Sequence, residues 1–265
     1  MSDFKASMLA SSSTGNVTYV ETPGRKVLLD AGLSGKKIEG LMQEVDRSLA
    51  DVDSIFVSHE HSDHIAGVGI LSRKYDMDIY ANEETWAAMA PKIGKIAPEH
   101  IKICRPGEVI DLGDLEVESY SVSHDAANPQ FYSFHHANKT FAALTDTGYV
   151  NDRMLSSLRN ADALLFESNH DYEMLRMGSY AWSLKQRILG DKGHLSNEDG
   201  ALALAEVIGS RTKNVFLGHL SQENNQQELA YLTVKGILEA KDFAVNHDFL
   251  MHNTEPLSAS RLIDI

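Results

Sequence analysis

The sequence predicts an α/β protein in which two stretches of alternating strands and helices flank an antiparallel β meander. Three observations predict it. Apolar runs of strand length alternate with helix-spaced segments near both ends of the chain. The middle is a series of short β runs separated by turn residues. Five of the apolar runs are followed, at once or within two residues, by an acid or a histidine: Asp30, His59, His124, Asp146 and His219.

Residues 7–10 and 17–21 read as strands around the polar turn 11–16. The third strand, 26–29, ends in Asp30-Ala31-Gly32. A carboxylate there is costly unless something pairs with it. Asp30 therefore either caps the following helix or orients a metal-bound histidine from the adjacent strand. Ile38, Leu41, Met42 and Val45 mark a helix over 36–45, and 54–57 is a short buried strand. Strand, helix, strand over 26–57 implies neighbouring parallel strands. Helix 65–75, strand 77–80 and helix 83–89 follow. Runs at 101–104, 109–112, 115–121, 131–136 and 140–144 predict the meander. The βα rhythm then returns with helix 152–158, strand 163–166 and helices 172–177 and 182–189. Ser196 and Asp199 open a helix over 196–208 in a capping-box-like pattern. Residues 215–217 read as the last core strand and 226–239 as the closing helix, while the tail from Asp242 shows no assignable element.

No Pro-, Ser- or Gly-rich linker divides the 265 residues, so a single domain over 1–265 is expected. With 43% hydrophobic and 23% charged residues the chain can bury a substantial core. The formal charge of −14 argues against broad, sequence-independent binding of nucleic acid or of an acidic membrane. It leaves room for an anionic substrate held by bound cations, which dominate the local field. The start Met1-Ser2-Asp3-Phe4-Lys5 lacks the features of a secretory signal, and no apolar run suffices to cross a bilayer. A soluble, cytoplasmic protein with no membrane partner is expected. Cys104 is the only cysteine, which excludes an internal disulfide, and it reads as a small buried apolar residue.

The segment His59-Glu60-His61-Ser62-Asp63-His64 packs three imidazoles and a carboxylate into six residues directly after a buried strand. These donors suit Zn, Mn or Fe. His59 and His61 can project to one side, while Asp63 and His64 start a new turn. That arrangement feeds two neighbouring ions rather than one. Side chains at strand ends converge at one edge of a sheet, where open α/β folds place ligands. Asp30, His59, His124, Asp146 and His219 thus form a constellation with the six-residue cluster.

The order LLDAG, HEHSDH, SHD, TDTG and LGH resembles the metallo-β-lactamase fold, a four-layer αβ/βα sandwich with two mixed sheets and its metals at one end. The resemblance implies two divalent ions. His59, His61 and His124 would hold the first, Asp63, His64 and His219 the second, and Asp146 would bridge them, with Asp30 supporting the site from behind. True β-lactamases of this fold lack the bridging aspartate at the position of Asp146. Glyoxalase-II-like thioesterases usually carry a Gly-Gly pair where this chain reads Ile65-Ala66-Gly67, and the large β-CASP insert of RNA- and DNA-cleaving relatives is missing between Asp146 and Gly193. The phosphodiesterase branch remains.

Glu167-Ser168-Asn169-His170-Asp171, the turn Leu175-Arg176-Met177-Gly178, and Gly193-His194-Leu195-Ser196-Asn197 are similar to the YycJ/WalJ-type hydrolases, proposed to be 5′-to-3′ DNA exonucleases. His194, just before the helix opened by Ser196, can donate to a phosphoryl or leaving oxygen, or it can belong to the helix cap. Asp63 would be both ligand and proton acceptor. Candidate substrate contacts are Asn169, His170, Arg176, Lys192, Ser196 and Asn197. Lys185 and Arg187 can track phosphates with them, and Tyr172, Tyr180 and Trp182 either stack on bases or belong to the core. The expected function is a dinuclear metal-dependent phosphodiesterase acting on DNA. Two alternatives are a thioester or lactone hydrolase on the same site and a non-catalytic metal-binding regulator. His100, His135, His136, His247 and His252 read as structural.

Overall fold

The structure is a computed structural model that describes residues 3–265. Met1 and Ser2, which open the N-terminal stretch read above for a targeting signal, lie outside the described residues. In chain order the elements are β1 (Lys5–Ala10), β2 (Val17–Glu21), β3 (Lys26–Leu29), α1 (Gly35–Glu44), β4 (Ser54–Phe56), α2 (Ser62–Ile65), α3 (Val68–Tyr75), β5 (Asp78–Ala81) and α4 (Glu83–Ile93). Then come β6 (Ile101–Ile103), β7 (Val109–Asp111), β8 (Glu116–Ser121), β9 (Gln130–His136), β10 (Lys139–Leu144), α5 (Asp152–Leu158), β11 (Ala163–Glu167), α6 (Tyr172–Met177) and α7 (Trp182–Ile188). The chain continues through α8 (Asn197–Val207), β12 (Asn214–Gly218), α9 (Gln227–Glu239), β13 (Leu250–Asn253) and β14 (Ile263–Asp264). Among the described residues the strands form two seven-stranded mixed sheets, flanked by helices.

The chain falls into two compact units. One runs up to Ser121 and includes Ala126–Asn138 and Glu255–Ile265; the other holds Val122–Asp125 and Lys139–Thr254.

In the first unit the sheet order is β14-β1-β2-β3-β4-β5-β6. The pairs from β14 to β3 are antiparallel and those from β3 to β6 parallel. Parallel strands are covered by their crossover helices, so β4 reads Ser54-Ile55-Phe56 with every residue buried. Ile38, Leu41 and Met42 of α1 and Trp86 and Met89 of α4 join Tyr19, Leu28, Ile55, Val57 and Ile79 in one apolar core. Each such fully buried side chain stabilises the fold by roughly 1.5–3 kcal/mol. Cys104 is buried in this unit, and burial pushes its thiol up.

Two sequence expectations are corrected here. Residues 101–104 do not belong to the meander: β6 pairs in parallel with β5. A three-residue run carries no sign of its partner, and the helix α4 between the two strands makes a parallel crossover. The helix expected over 65–75 starts later, as α3 at Val68: Ile65 closes the one-turn α2, and Ala66-Gly67 part the two. Gly67 N–H donates to the Ala31 carbonyl at 2.7 Å, which draws the chain out of the helical ladder. The meander is β7, β8 and β9, antiparallel throughout.

In the second unit β10, β11, β12 and β13 run parallel in that order. Residues 140–144, expected in the antiparallel meander, form the strand next to β9 and also pair in parallel with β11. Nor is 215–217 the last core strand, because β13 follows and pairs with β12. The tail hides it: Leu250 is half exposed and the strand has only four residues, so no apolar run stands out. Ser196 caps α8 as its spacing predicts, accepting from Asp199 N–H at 3.0 Å. Among the described residues no helix is long and apolar enough to cross a membrane.

Candidate metal centre

Strand ends supply the site, and they do so with an unusual backbone. Asp30, Asp146 and His219 each adopt a left-handed conformation, with φ of 58°, 58° and 57°. This region is unfavourable for residues with a Cβ and persists where the surroundings hold it. Each turns the chain sharply off an apolar strand, so that a polar side chain is presented where the strand stops.

In the first unit Asp30 anchors the histidine loop. Its Oδ1 accepts from Ser58 N–H at 2.8 Å, and its Oδ2 accepts from Ser58 Oγ at 2.8 Å and from His64 Nδ1 at 2.7 Å. Because the Ser58 proton goes to Asp30, Ser58 Oγ accepts from His59 Nδ1 at 3.0 Å. Both imidazoles are thereby fixed with the proton on Nδ1 and the lone pair on Nε2. His59 Nε2 faces His61 Nδ1 at 3.1 Å, and His64 Nε2 lies 3.4 Å from Asp63 Oδ2. The backbone is laced as tightly. Ala31 N–H donates to His64 O at 2.8 Å, Asn16 N–H to Asp63 O at 2.8 Å and Gly32 N–H to Asn16 O at 2.9 Å. A Cβ on Gly32 would fall 1.6 Å from the Asp63 carbonyl oxygen, so only glycine fits.

In the second unit the organising group is Glu167, the last residue of β11. It is fully buried, and Oε1 accepts from His194 Nδ1 and from His219 Nδ1, both at 2.9 Å. Oε2 accepts from Thr147 N–H at 3.0 Å and Leu195 N–H at 3.3 Å. Burial alone raises its carboxyl, but the two imidazoles outweigh it and hold it well below the usual carboxylate range. His124 Nδ1 donates to the Gly193 carbonyl at 3.1 Å, and burial lowers its affinity for a second proton, against the pull of Asp146. Asp146 Oδ1 lies 3.4 Å from His219 Nε2 and 3.8 Å from His124 Nε2. Asp146, Glu167, His194 and His219 can each offer a ligand atom within 4.8 Å of the others.

The donors within each unit suit a divalent ion. In His59, His64, His124, His194 and His219 Nδ1 is committed to a hydroxyl, carboxylate or carbonyl oxygen, leaving Nε2 as donor. A ligating imidazole needs that second hydrogen bond to fix its tautomer and raise its basicity.

Glu167 is the residue that sequence reasoning left without a role. The signal was available, because it is a carboxylate closing an apolar strand just as Asp30 does. Of the other candidate contacts, Asn169 donates to the His219 carbonyl at 2.8 Å. Asn197 is fully buried, accepting from Ser168 Oγ at 2.6 Å and from Asn225 Nδ2 at 2.9 Å. Ser196 is the α8 cap. His170 is also buried, and among the described residues its Nδ1 and Nε2 have no hydrogen-bond partner. Burial pushes it down to about 4, against the opposing charge of Glu167. Arg176 is exposed and paired with Glu173 at 2.7 Å, and Lys192 is exposed.

A family model described as the beta-lactamase superfamily domain matches residues 25–219, and the chain belongs to that superfamily. Within it, the chain is 54% identical over 264 residues to the exodeoxyribonuclease WalJ of Streptococcus pneumoniae, covering 99% of this chain and 98% of the relative. It is 53% identical over 256 residues to the exodeoxyribonuclease YycJ of Bacillus anthracis, covering 97% of each. The resemblance to YycJ/WalJ-type proteins thus extends over nearly the whole length. Solved structures share the fold at low identity. The metallo-β-lactamase fold protein YhfI of Bacillus subtilis has a TM-score of 0.72 at 14% identity, covering 97% of this chain and 98% of that one. Zn2+-bound PqqB of Methylobacterium extorquens has a TM-score of 0.70 at 16% identity, covering 97% and 99%.

Proposed function

We propose that this chain is a metal-dependent exodeoxyribonuclease that shortens DNA in the 5′-to-3′ direction. The observation that carries the reading is the full-length similarity to WalJ and YycJ, both exodeoxyribonucleases. The anchored imidazoles support it chemically. In this proposal His59, His61 and His124 would hold one ion, Asp63, His64 and His219 would hold a second, and Asp146 would serve both. Zn and Mn suit the nitrogen and oxygen donors best, with Fe also compatible. Such an ion pair supplies a strong nucleophile at neutral pH and neutralises phosphoryl charge.

The chain's own groups handle the protons. As water attacks phosphorus and the bond to the leaving deoxyribose oxygen breaks, Asp63 takes the proton from the water. His194 gives one to the leaving oxygen. Glu167 accepts from His194 Nδ1 at 2.9 Å and orients the ring.

The test uses purified full-length protein with Mn or Zn on 5′- and 3′-labelled single- and double-stranded DNA. Stepwise shortening from the 5′ end is expected. Asp63→Ala and Asp146→Ala should each abolish it, together with turnover of bis-(p-nitrophenyl) phosphate. Hydrolysis of acyl thioesters without any cleavage of DNA would overturn the reading.

A further inference from the structure

We propose that Asn16 is a positioning residue for the metal centre: one N–H of its side-chain amide holds Asp63 and His64 in the arrangement in which they would receive an ion. The inference rests on the metal-dependent reading above, in which both would be ligands, and adds a residue to it. By sequence Asn16 only closes the polar turn 11–16. The structure buries it against the loop that bears Asp63 and His64.

Its backbone does one task and its side chain another. Asn16 N–H donates to the Asp63 carbonyl at 2.8 Å, and its own carbonyl accepts from Gly32 N–H at 2.9 Å. Those two bonds staple the turn to both neighbouring loops and need no particular side chain. The amide is oriented by the turn itself. Oδ1 accepts from Ser12 N–H at 3.1 Å and from Ser11 Oγ at 3.3 Å, while Nδ2 donates to the Ser12 carbonyl at 2.9 Å. An amide nitrogen carries two protons, so a second remains. It points into the histidine loop, where Nδ2 lies 3.2 Å from His64 Nε2 and 3.5 Å from Asp63 Oδ2.

His64 Nδ1 already donates to Asp30, which leaves a lone pair on Nε2. Asp63 Oδ2, 3.4 Å from that nitrogen, is an acceptor as well. Two acceptors this close repel unless a proton or a cation lies between them. Asn16 supplies a proton. An ion that took the Nε2 lone pair would shift the same N–H onto the Asp63 carboxylate, a charge-assisted bond and so the stronger of the two. Asn16 thus holds the two groups together before an ion binds and favours its binding. It acts through Asp63 and His64 and has no need to touch DNA.

The test titrates Zn into metal-stripped full-length protein by calorimetry. Asn16→Ala should bind Zn 10–100-fold more weakly than the parent, the typical cost of losing an outer hydrogen-bond partner. Ser11→Ala is the control. It removes one donor to Oδ1 and leaves the Nδ2 protons in place, so it should lower the denaturant midpoint without changing Zn affinity. Equal losses of Zn affinity in the two variants would make Asn16 a structural staple and overturn the assignment. A second measurement needs no variant. In nitrogen-15 spectra of the parent the two Asn16 side-chain protons should respond unequally to Zn, the one on the Ser12 carbonyl staying and the other moving. Unchanged Zn affinity in Asn16→Ala, or an Asn16 amide that ignores Zn, also overturns the assignment, while the exodeoxyribonuclease reading is decided by its own DNA assay. If Asn16→Ala weakens Zn binding as expected and the parent never shortens DNA, the positioning role stands and the exodeoxyribonuclease reading falls. A parent that binds no metal overturns both.

Discussion

Glu167 accepts from two imidazoles and two backbone amides at once, so its neutral amide counterpart cannot replace it. In Glu167→Gln one oxygen becomes an NH2 group, which has no lone pair for an imidazole N–H. The NH2 then faces either the His194 and His219 N–H groups, which share Oε1, or the Thr147 and Leu195 amides at Oε2, and whichever pair it faces loses its acceptor. Loss of such a supporting carboxylate typically costs 10–100-fold in metal affinity. Calorimetric titration of metal-stripped protein should show a drop of that order. His170 yields a prediction of another kind. Its folded pKa is lowered to about 4 from an ordinary 6.5. Above pH 6.5 both folded and unfolded chains carry it neutral, and its burial costs nothing in protonation. As pH falls from 6.5 toward 4 the unfolded chain gains a proton that the folded chain refuses, so stability is lost across that window. The loss approaches about 3 kcal/mol at 1.36 kcal/mol per pH unit. His170→Gln should flatten the difference between urea midpoints at pH 7 and pH 4.5. An unchanged pH dependence would show that His170 does not carry it.

At the scale of elements, the site depends on loops that leave strands and are pinned to one another by backbone. Gly32 is the clearest case, because the Asp30-Ala31-Gly32 turn lies flat against the Asp63 carbonyl. Gly32→Ala must push apart the turn and the loop that bears Asp63 and His64. A forced overlap of this kind typically costs 1–3 kcal/mol. The expected result is a lower denaturant midpoint together with weaker metal binding; native stability in that variant would contradict the packing described. Much at this scale was legible in advance. The periodicity of α1, the Ser196 cap and the strand-end acids all rest on local rules. The partner of β6 and the existence of β13 were not legible, since a short run takes its place in a sheet from its neighbour.

At the scale of the whole molecule, charge sets a test of the proposed action on DNA. A chain of net charge −14 has no broad electropositive groove to offer, and the cationic contacts available on α6, α7 and the following loop are few. With Arg176, Arg187 and Lys192 meeting phosphate, the slope of log affinity against log salt for a single strand should be about −2. That corresponds to roughly a 20-fold loss between 50 and 200 mM salt. A basic-groove binder making 6–10 contacts loses about 10³–10⁵. Fluorescence titrations at four salt concentrations distinguish the two. Bound metal stabilises the folded form by mass action, so chelation should lower the unfolding temperature and re-addition restore it.

The sequence by itself determined the α/β class, the location of the histidine loop, and the acids and histidines that close apolar strands. Those features follow from periodicity and from the cost of leaving a polar group at the end of a buried strand. Only the tertiary structure decided which group holds which. Glu167 meets His194 and His219 from 27 and 52 positions away. The same holds for Asn16, which meets Asp63 and His64 from 47 and 48 positions away. Hydrogen bonds and burial are properties of juxtaposition in space, and juxtaposition between distant segments is set by packing, not by local composition.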